Sequence, residues 1–320
     1  MSGLPLDSLA FAMLNAARVD AAVLAGQSLA DNLLGRVDPI ARPAVQDLVY
    51  GSLRRYGRGD FLLGRLLARP LDAPEVRCLL LVALYRLDTR PDAIHTVVDQ
   101  AVAAAGELAE GRFRGLVNGV LRNYLRQQPE LLAGLAADAL ASSQHPDWWF
   151  QRLQSAYPEC WGEIVAAGNA PPPMALRVNL RRGSREAYLA RLGAEGIGAT
   201  PAGEAGLLLD KPLPVERLPG FGEGLVSVQD PAAQIAASLL DPAPGSRVLD
   251  ACAAPGGKAA HLLERGDIEL LALDLKPSRC RRVAENLARL GLHAEIKAAD
   301  CARLDSWWDG RPFDAVLADV

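Results

Sequence analysis

The residues with the clearest chemical potential form a glycine-rich turn. From Val248 to Glu264 the sequence is VLDACAAPGGKAAHLLE, an apolar segment followed by two adjacent glycines and a helical pattern. Gly256 and Gly257 lack side chains, so a ligand can approach the backbone closely there. The helix that follows directs free backbone N–H groups toward the turn. A strand, a tight turn and a helix in this order predict a nucleotide-like ligand at the edge of a sheet.

Two phosphate-binding motifs fail at this turn. A P-loop aligned on Gly257 and Lys258 has Cys252 in place of its first glycine and Ala259 in place of its hydroxyl residue, which removes the Mg²⁺ ligand. A dinucleotide fingerprint needs three spaced glycines, whereas this turn has an adjacent pair. S-adenosylmethionine has no phosphate and needs an acid for its ribose, so it is the ligand that we predict.

Acids follow the predicted strands at the same edge of the sheet. Asp274 lies 24 residues after Asp250, close to the spacing of a ribose-binding acid, and its carboxylate can accept hydrogen bonds from both ribose hydroxyls. Asp300 ends the third predicted strand, where it can lie near the adenine, and Asp319 ends the fourth. Single acids at the start of loops are common, but four at one edge favour a nucleoside site.

The elements that position these residues alternate between strand and helix. Such alternation predicts a parallel, doubly wound sheet. Strands are expected at 246–251, 268–275, 294–299 and 313–319, and helices at 230–240, 258–265 and 277–290. Four strands are few for a nucleotide-binding fold of this class, so we expect the domain to be incomplete at its C-terminus.

Three domains are predicted along the chain. Residues 1–140 show apolar spacings of three and four, with prolines between the stretches, which predicts an all-helical bundle. Residues 141–228 combine a helix pair, a joint at Pro171, Pro172 and Pro173, and a small α/β segment of ferredoxin-like or RRM-like size. Residues 229–320 form the α/β domain.

Composition limits the partners. The net charge of the 320 residues is −4 and none of the predicted domains is strongly basic, so a nucleic-acid surface must be a local patch. Two arginine clusters are candidates. One has only Asp60 as an acid within it, and the other has none: Arg54, Arg55, Arg58, Arg65 and Arg69 in the first, and Arg112, Arg114, Arg122 and Arg126 in the second.

The cysteines and the apolar segments indicate the compartment. The five cysteines show neither metal-ligand spacing nor a disulfide framework, which indicates a reducing environment. The N-terminus has no secretory signal pattern, and the apolar runs are too short to span a membrane. We therefore expect a cytoplasmic protein without a membrane partner or a bound metal.

Several strings resemble a known family. VLDACAAPGGK, ALDL and FDAVLADV resemble the RNA cytosine-C5 methyltransferases of the NOL1/NOP2/Sun type, and CAAPGGK is far more specific than a glycine pair. LVYGSLRRY, APEVRCLLLVALYRL and GLVNGVLRN resemble NusB-type helical domains. A NusB-like bundle followed by a Rossmann-like methyltransferase domain is the arrangement of the RsmB (Sun, Fmu) type of bacterial small-subunit rRNA methyltransferase. The resemblance covers most of the chain, and residues 141–228 match more loosely.

The resemblance implies an S-adenosylmethionine-dependent enzyme that forms 5-methylcytosine in a single-stranded or loop region of 16S rRNA, and we expect a monomer. The cofactor contacts that it implies are Cys252, Ala253, Ala254, Pro255, Gly256, Gly257, Lys258, Asp274, Asp300 and Asp319.

The family mechanism is covalent. A cysteine thiolate attacks C6 of the base, which makes C5 nucleophilic, and a second cysteine assists release of the RNA. The family cysteines follow the strand that ends at Asp319, beyond Val320, so we expect no catalytic residue in this chain and no methyl transfer by it alone. Cys252 suits packing of the cofactor rather than attack on the base.

Two alternatives remain open at this stage. The chain could be a NusB-like RNA- or protein-binding module whose methyltransferase domain is non-catalytic, which the absence of a Pro-Cys after Val320 would favour. It could also methylate DNA or a protein amide nitrogen, which would require an Asn/Asp-Pro-Pro-aromatic element after the fourth strand.

Overall fold

A computed structural model describes residues 3–29 and 32–320, apart from the side chain of Ala139. The chain divides between Pro171 and Pro172 into two compact units. None of the helices in these described residues is long and apolar enough to cross a membrane.

The N-terminal unit is helical, which confirms the predicted bundle. Its helices are α1 (Leu9–Leu24), α2 (Arg42–Arg54), α3 (Tyr56–Leu66), α4 (Pro74–Thr89), α5 (Ile94–Gly106), α6 (Arg114–Ala137), α7 (Ala139–Ser143), α8 (Asp147–Ala156) and α9 (Trp161–Asn169). Ser8 starts α1 because its hydroxyl accepts a hydrogen bond from the Phe11 N–H at 3.1 Å. Proline begins α4, where its missing N–H leaves no partner unsatisfied. From Val76 to Leu87 this helix is almost entirely buried, so α4 is the centre of the bundle.

A buried acid lies inside this bundle. Asp20 of α1 is 1% exposed and accepts a hydrogen bond from the Ser52 hydroxyl of α2 at 2.6 Å. Burial raises the pKa of Asp20 to about 7, although the hydrogen bond from Ser52 opposes this shift. The acid therefore carries its proton into the neutral range.

The C-terminal unit begins with a small antiparallel sheet. Its strands are β1 (Ala175–Val178), β2 (Ala199–Ala202), β3 (Gly206–Leu209) and β4 (Val226–Val228), and α10 (Arg185–Ala194) connects the first two. The strand order β2-β3-β1-β4 is that of a ferredoxin-like sheet. Tyr188 and Leu192 of α10 pack on Leu176 and Leu207 of the sheet, because they recur on one helical face.

A parallel sheet follows, as predicted. Its strands are β5 (Arg247–Asp250), β6 (Glu269–Asp274), β7 (Glu295–Ala298) and β8 (Ala315–Leu317), in the order β7-β6-β5-β8. The helices are α11 (Pro231–Leu240), α12 (Gly257–Arg265) and α13 (Pro277–Leu290). After β5 the chain builds outward through β6 and β7, then returns to the other side of β5 with β8. The carboxyl end of β5 is therefore the switch point, where α/β sheets bind ligands.

The edge strands are shorter than predicted. β7 ends at Ala298 and β8 at Leu317, so Asp300 and Asp319 lie in the loops beyond these strands instead of ending them. Residues of β7 and β8 are only partly buried, whereas β5 is buried throughout. Asp300 instead begins a turn, because its carboxylate accepts the Ala302 N–H at 3.0 Å and its carbonyl accepts the Arg303 N–H at 2.9 Å.

Candidate functional site

The turn between β5 and α12 is fixed by both neighbouring strands. The Ala251 N–H donates to the Leu317 carbonyl of β8 at 2.9 Å, and the Ala253 N–H donates to the Leu273 carbonyl of β6 at 2.8 Å. A third hydrogen bond, from the Gly256 N–H to the Ala253 carbonyl at 2.7 Å, closes the turn on itself. The backbone of the turn is thus held in place before any ligand binds.

Gly256 is required by its backbone conformation and by the space around it, whereas a Cβ on Gly257 would meet its neighbour at an ordinary contact distance. Gly256 has a φ of +97°, which only glycine adopts readily, and a Cβ there would lie 3.2 Å from the Val283 Cα of α13. A Cβ on Gly257 would lie 3.5 Å from the Gln229 side-chain nitrogen. Among the described residues, no side chain caps the start of α12. Its leading N–H groups therefore face the turn and are free to meet a polar ligand.

Asp274 ends β6 beside this turn and is 3% exposed. Its carboxylate accepts hydrogen bonds from the Ala254 N–H at 3.3 Å and the Lys276 N–H at 3.2 Å, and it lies 3.5 Å from the Arg279 guanidinium. Arg279 also donates to the Ala254 carbonyl at 3.2 Å. The structure therefore brings Asp274 and the turn together, as the sequence predicts, with the acid oriented by backbone groups.

Asp250, the last residue of β5, is a feature of the site that sequence reasoning used only for spacing. It is 2% exposed, and its Oδ2 has no hydrogen-bond partner among the described residues. Burial raises its pKa to about 6. The nearby Asp319 and Asp274 raise it too, whereas the Cys252 N–H and the charge of Lys258 lower it. A buried polar atom without a partner is unusual and indicates a place for a ligand donor or an ordered water.

The remaining predicted acids lie farther out. Asp319 forms an ion pair with Lys258 of α12, across the carboxyl end of the sheet. Asp300 accepts a hydrogen bond from the Ala302 N–H at 3.0 Å within its own loop. The structure thus groups Asp250, Asp274 and Asp319 around the turn, while Asp300 contacts its own loop. Within the described ranges no three metal-ligating side chains come together.

Cys252 is a poor nucleophile where it stands. Burial raises the pKa of its thiol, and so do Cys301, Asp274 and Asp250 nearby, with only Arg279 opposing. The thiolate is the attacking form of cysteine, and these neighbours disfavour it. The packing role of Cys252 stays a prediction, and these neighbours favour its neutral thiol.

Sequence reasoning also missed a buried arginine beneath the turn. Arg177 of β1 is 0% exposed and donates to the Gly257 carbonyl at 2.7 Å. Its one signal in the sequence is a lone arginine in the apolar strand MALRVNL.

The arginine clusters differ from each other in their contacts. In the first, Arg58 pairs with Asp88 at 2.6 Å, whereas Asp60, the acid expected to oppose this cluster, pairs with Arg77 instead. Arg54, Arg55 and Arg58 line a cleft of about 510 Å³ within the N-terminal unit. The second cluster is exposed, and Arg122 and Arg126 of α6 contact neutral groups.

Those neutral contacts are with asparagines: Arg122 donates to Asn118 at 3.0 Å and Arg126 to Asn123 at 2.6 Å. Both guanidinium groups keep their charge available to an anionic partner.

The residues of the turn fit a nucleoside that carries no phosphate. A buried carboxylate at the end of the neighbouring strand suits two ribose hydroxyls, the glycine pair admits close approach, and the acids around the turn would repel a phosphate. S-adenosylmethionine has a ribose and no phosphate, so it meets these requirements.

Three family models match the chain in succession. The NusB family matches residues 8–126, the ferredoxin-like domain of RsmF/B-like methyltransferases matches 145–216, and the 16S rRNA methyltransferase RsmB/F family matches 237–320.

Curated relatives match across nearly the whole chain. The ribosomal RNA small subunit methyltransferase B of Pseudomonas putida is 47% identical over 317 residues, which are 96% of this chain and 73% of that protein. The protein of the same name from Escherichia coli O6:H1 is 39% identical over 94% of this chain and 72% of its own length.

Two solved structures show the same fold. The crystal structure of PH0851 superposes with a TM-score of 0.76 at 18% identity, over 98% of this chain and 74% of that one. A methyltransferase homologue from Pyrococcus horikoshii has a TM-score of 0.50 at 28% identity, over 55% of this chain and 59% of that one.

Proposed function

Since the chain belongs to the RsmB/F family of 16S rRNA methyltransferases, we propose that it forms 5-methylcytosine in small-subunit rRNA through a covalent cysteine adduct. Membership of the family establishes that the chain is an S-adenosylmethionine-dependent rRNA methyltransferase with a NusB-like helical domain. The methylated atom, the covalent route and the site residues are the proposal.

The observation that carries the proposal is the buried Asp274 carboxylate held against the glycine turn. Backbone N–H groups on both sides orient it, at 3.3 Å from Ala254 and 3.2 Å from Lys276. A fixed acid at this place can bind the two hydroxyls of a ribose without first reorganising. The turn then faces the methionine part of the cofactor.

We assign the cofactor contacts to the turn residues and three acids. They are Cys252, Ala253, Ala254, Pro255, Gly256, Gly257, Lys258, Asp274, Asp300 and Asp319. When bound, S-adenosylmethionine supplies an electrophilic methyl group. The chain binds and orients the cofactor. Asp274 binds the ribose hydroxyls, the glycines permit close approach, and Lys258 is held by its ion pair with Asp319.

The chemistry of cytosine supports a covalent route. C5 is a weak nucleophile until a thiolate adds to C6, after which it could accept a methyl group whose bond to the cofactor's sulfonium sulfur would break, leaving the thioether. Loss of the C5 proton and departure of the thiolate restore the aromatic ring. The base must leave its stack to be attacked, so an unpaired region of the rRNA is the expected substrate. We propose that none of the five cysteines of this chain is the attacking group, in keeping with the raised pKa of Cys252.

We also propose that the protein acts as a monomer in the cytoplasm and that exposed arginines of the N-terminal unit contact rRNA phosphates. The three-domain division at residues 1–140, 141–228 and 229–320 is part of the proposal. It is supported by the family models, which fall one within each range.

The test is methylation of purified 16S rRNA by the protein expressed from its gene, with the product mapped by bisulfite sequencing. The expected result is protection of a single cytosine. A second arm uses rRNA containing 5-fluorocytosine, in which fluorine replaces the proton that must leave, so that a protein–RNA adduct should accumulate. Methylation of a ribose or of an exocyclic nitrogen, or turnover without any adduct, would refute the proposed chemistry.

A further inference from the structure

We propose that Arg177, in the small antiparallel sheet, is a positioning residue for the cofactor site in the adjacent parallel sheet. This inference rests on the cofactor site proposed above. It assigns to β1, a strand outside the methyltransferase sheet, the task of fixing the start of α12.

The guanidinium of Arg177 is fully engaged and fully buried. Its Nε and Nη2 donate to the two carboxylate oxygens of Glu264, both at 2.8 Å, which is the bidentate geometry that arginine forms with a carboxylate. Its Nη1 donates to the Gly257 carbonyl at 2.7 Å and to the Gln229 side-chain oxygen. One side chain thus contacts both ends of α12 and the segment that precedes α11.

The bond to Gly257 controls a group that faces the ligand. The carbonyl of Gly257 and the N–H of Lys258 belong to the same planar peptide unit and point in opposite directions. Holding the carbonyl oxygen therefore fixes the direction of the Lys258 N–H, one of the leading donors of α12. Arg177 does not contact the proposed cofactor site itself and affects it only through this peptide.

Gln229 completes the support from the other side. Its backbone N–H donates to the Ala175 carbonyl of β1 at 3.1 Å, and its carbonyl accepts from the Gln234 side chain at 3.0 Å. Its side-chain nitrogen lies 3.5 Å from the place of a Cβ on Gly257. Gln229 therefore lies beside Gly257 and links this end of α12 to β1.

The side chains of the ion pair are buried, and a cavity of about 290 Å³ borders Glu264 and the adjacent His261. Burial raises the pKa of Glu264 although Arg177 opposes the shift, and burial lowers the pKa of the adjacent His261 to about 3, with Arg177 and Arg265 acting in the same direction. His261 is therefore neutral at physiological pH, and Glu264 is the counter-charge of Arg177. Removing one partner alone would leave an unpaired buried charge and strongly destabilise the unit.

The experiment therefore replaces both charges together. In the double variant Arg177→Met/Glu264→Met, an apolar pair of similar volume substitutes for the ion pair, which generally preserves stability. Calorimetric titration with S-adenosylmethionine should give a Kd raised on the order of tenfold or more, because the Gly257 peptide loses a charge-assisted donor. The melting temperature should stay near that of the unmodified protein.

A conservative variant and a matched control decide the outcome. Arg177→Lys keeps the charge next to Glu264 but cannot also reach Gly257 with a fixed fork, so it should weaken binding while the protein stays folded. Arg181→Met removes another arginine that joins the two sheets, through Asp267 and the Glu264 carbonyl, without touching the turn. It should leave the Kd unchanged.

Each result has one reading. If the double variant folds and binds S-adenosylmethionine with the Kd of the unmodified protein, the positioning role is overturned. If the double variant does not fold, an unchanged Kd in Arg177→Lys overturns the positioning role. If Arg181→Met also weakens binding, the effect comes from any loss of contact between the two sheets, and the specific positioning role of Arg177 is overturned. Failure of the unmodified protein to bind S-adenosylmethionine would instead refute the cofactor site itself.

Discussion

Replacing Asp274 by alanine should abolish most of the affinity for S-adenosylmethionine. The carboxylate is buried and oriented by two backbone N–H groups, so it meets the ribose without rearrangement. A hydrogen bond to a charged group contributes about 1.5–3 kcal/mol, and two such bonds to the ribose hydroxyls are lost. A total of about 3 kcal/mol corresponds to roughly 100-fold weaker binding.

The loss of stability should be smaller than the loss of affinity. The partners left behind are Arg279, which is half exposed, and the N–H groups of Ala254 and Lys276, which belong to residues that are only partly buried or exposed, so water can replace the carboxylate. Isothermal titration calorimetry measures the affinity, and thermal unfolding without cofactor measures the fold. Asp267→Ala is the matched control, because Asp267 precedes the same strand β6 at its opposite end and is exposed. A Kd for Asp274→Ala within about threefold of the parent, in a folded protein, would refute the ribose assignment.

Three further outcomes follow from the same geometry. Gly256→Ala should destabilise the fold by about 1–3 kcal/mol in chemical denaturation, because alanine at φ +97° is strained and its Cβ approaches Val283; equal stability would contradict this. The folded state holds the Asp20 proton up to pH about 7 and the unfolded state only to about 3.8, so stability should fall as pH rises between these values, by about 4 kcal/mol at most, and then level off. Asp20→Asn should flatten that profile, and an unchanged slope would exclude Asp20 as its source. Arg122→Glu/Arg126→Glu should weaken rRNA binding and reduce its salt dependence, whereas unaltered binding at low salt would remove this cluster from the interface.

The local pattern of the sequence was sufficient for the elements that carry the site. Apolar spacing predicts the helices of the bundle, and the alternation of strand and helix after residue 229 predicts the parallel sheet. The sequence predicts Asp274 as a site residue because a strand end and a glycine turn both leave a signature within a few residues. These features depend on neighbours along the chain, which the sequence displays directly.

Contacts between distant segments were not predictable in the same way. Arg177 appears in the sequence as a charge within an apolar strand, and nothing local identifies Glu264 as its partner. The sequence shows Asp250 as the end of a strand, but whether its Oδ2 finds a hydrogen-bond partner depends on how the turn folds over it. The pairing of Arg58 with Asp88 likewise depends on how α3 packs against α4. Each of these depends on tertiary packing that periodicity does not encode.

The ion pair beneath the turn also bears on the order in which the protein can mature during synthesis. Arg177 leaves the ribosome 87 residues ahead of Glu264. Until α12 emerges, the guanidinium has no counter-charge, and burying it alone would be costly. We therefore expect Arg177 to become buried only after α12 has been synthesised, together with the folding of the turn at the start of α12.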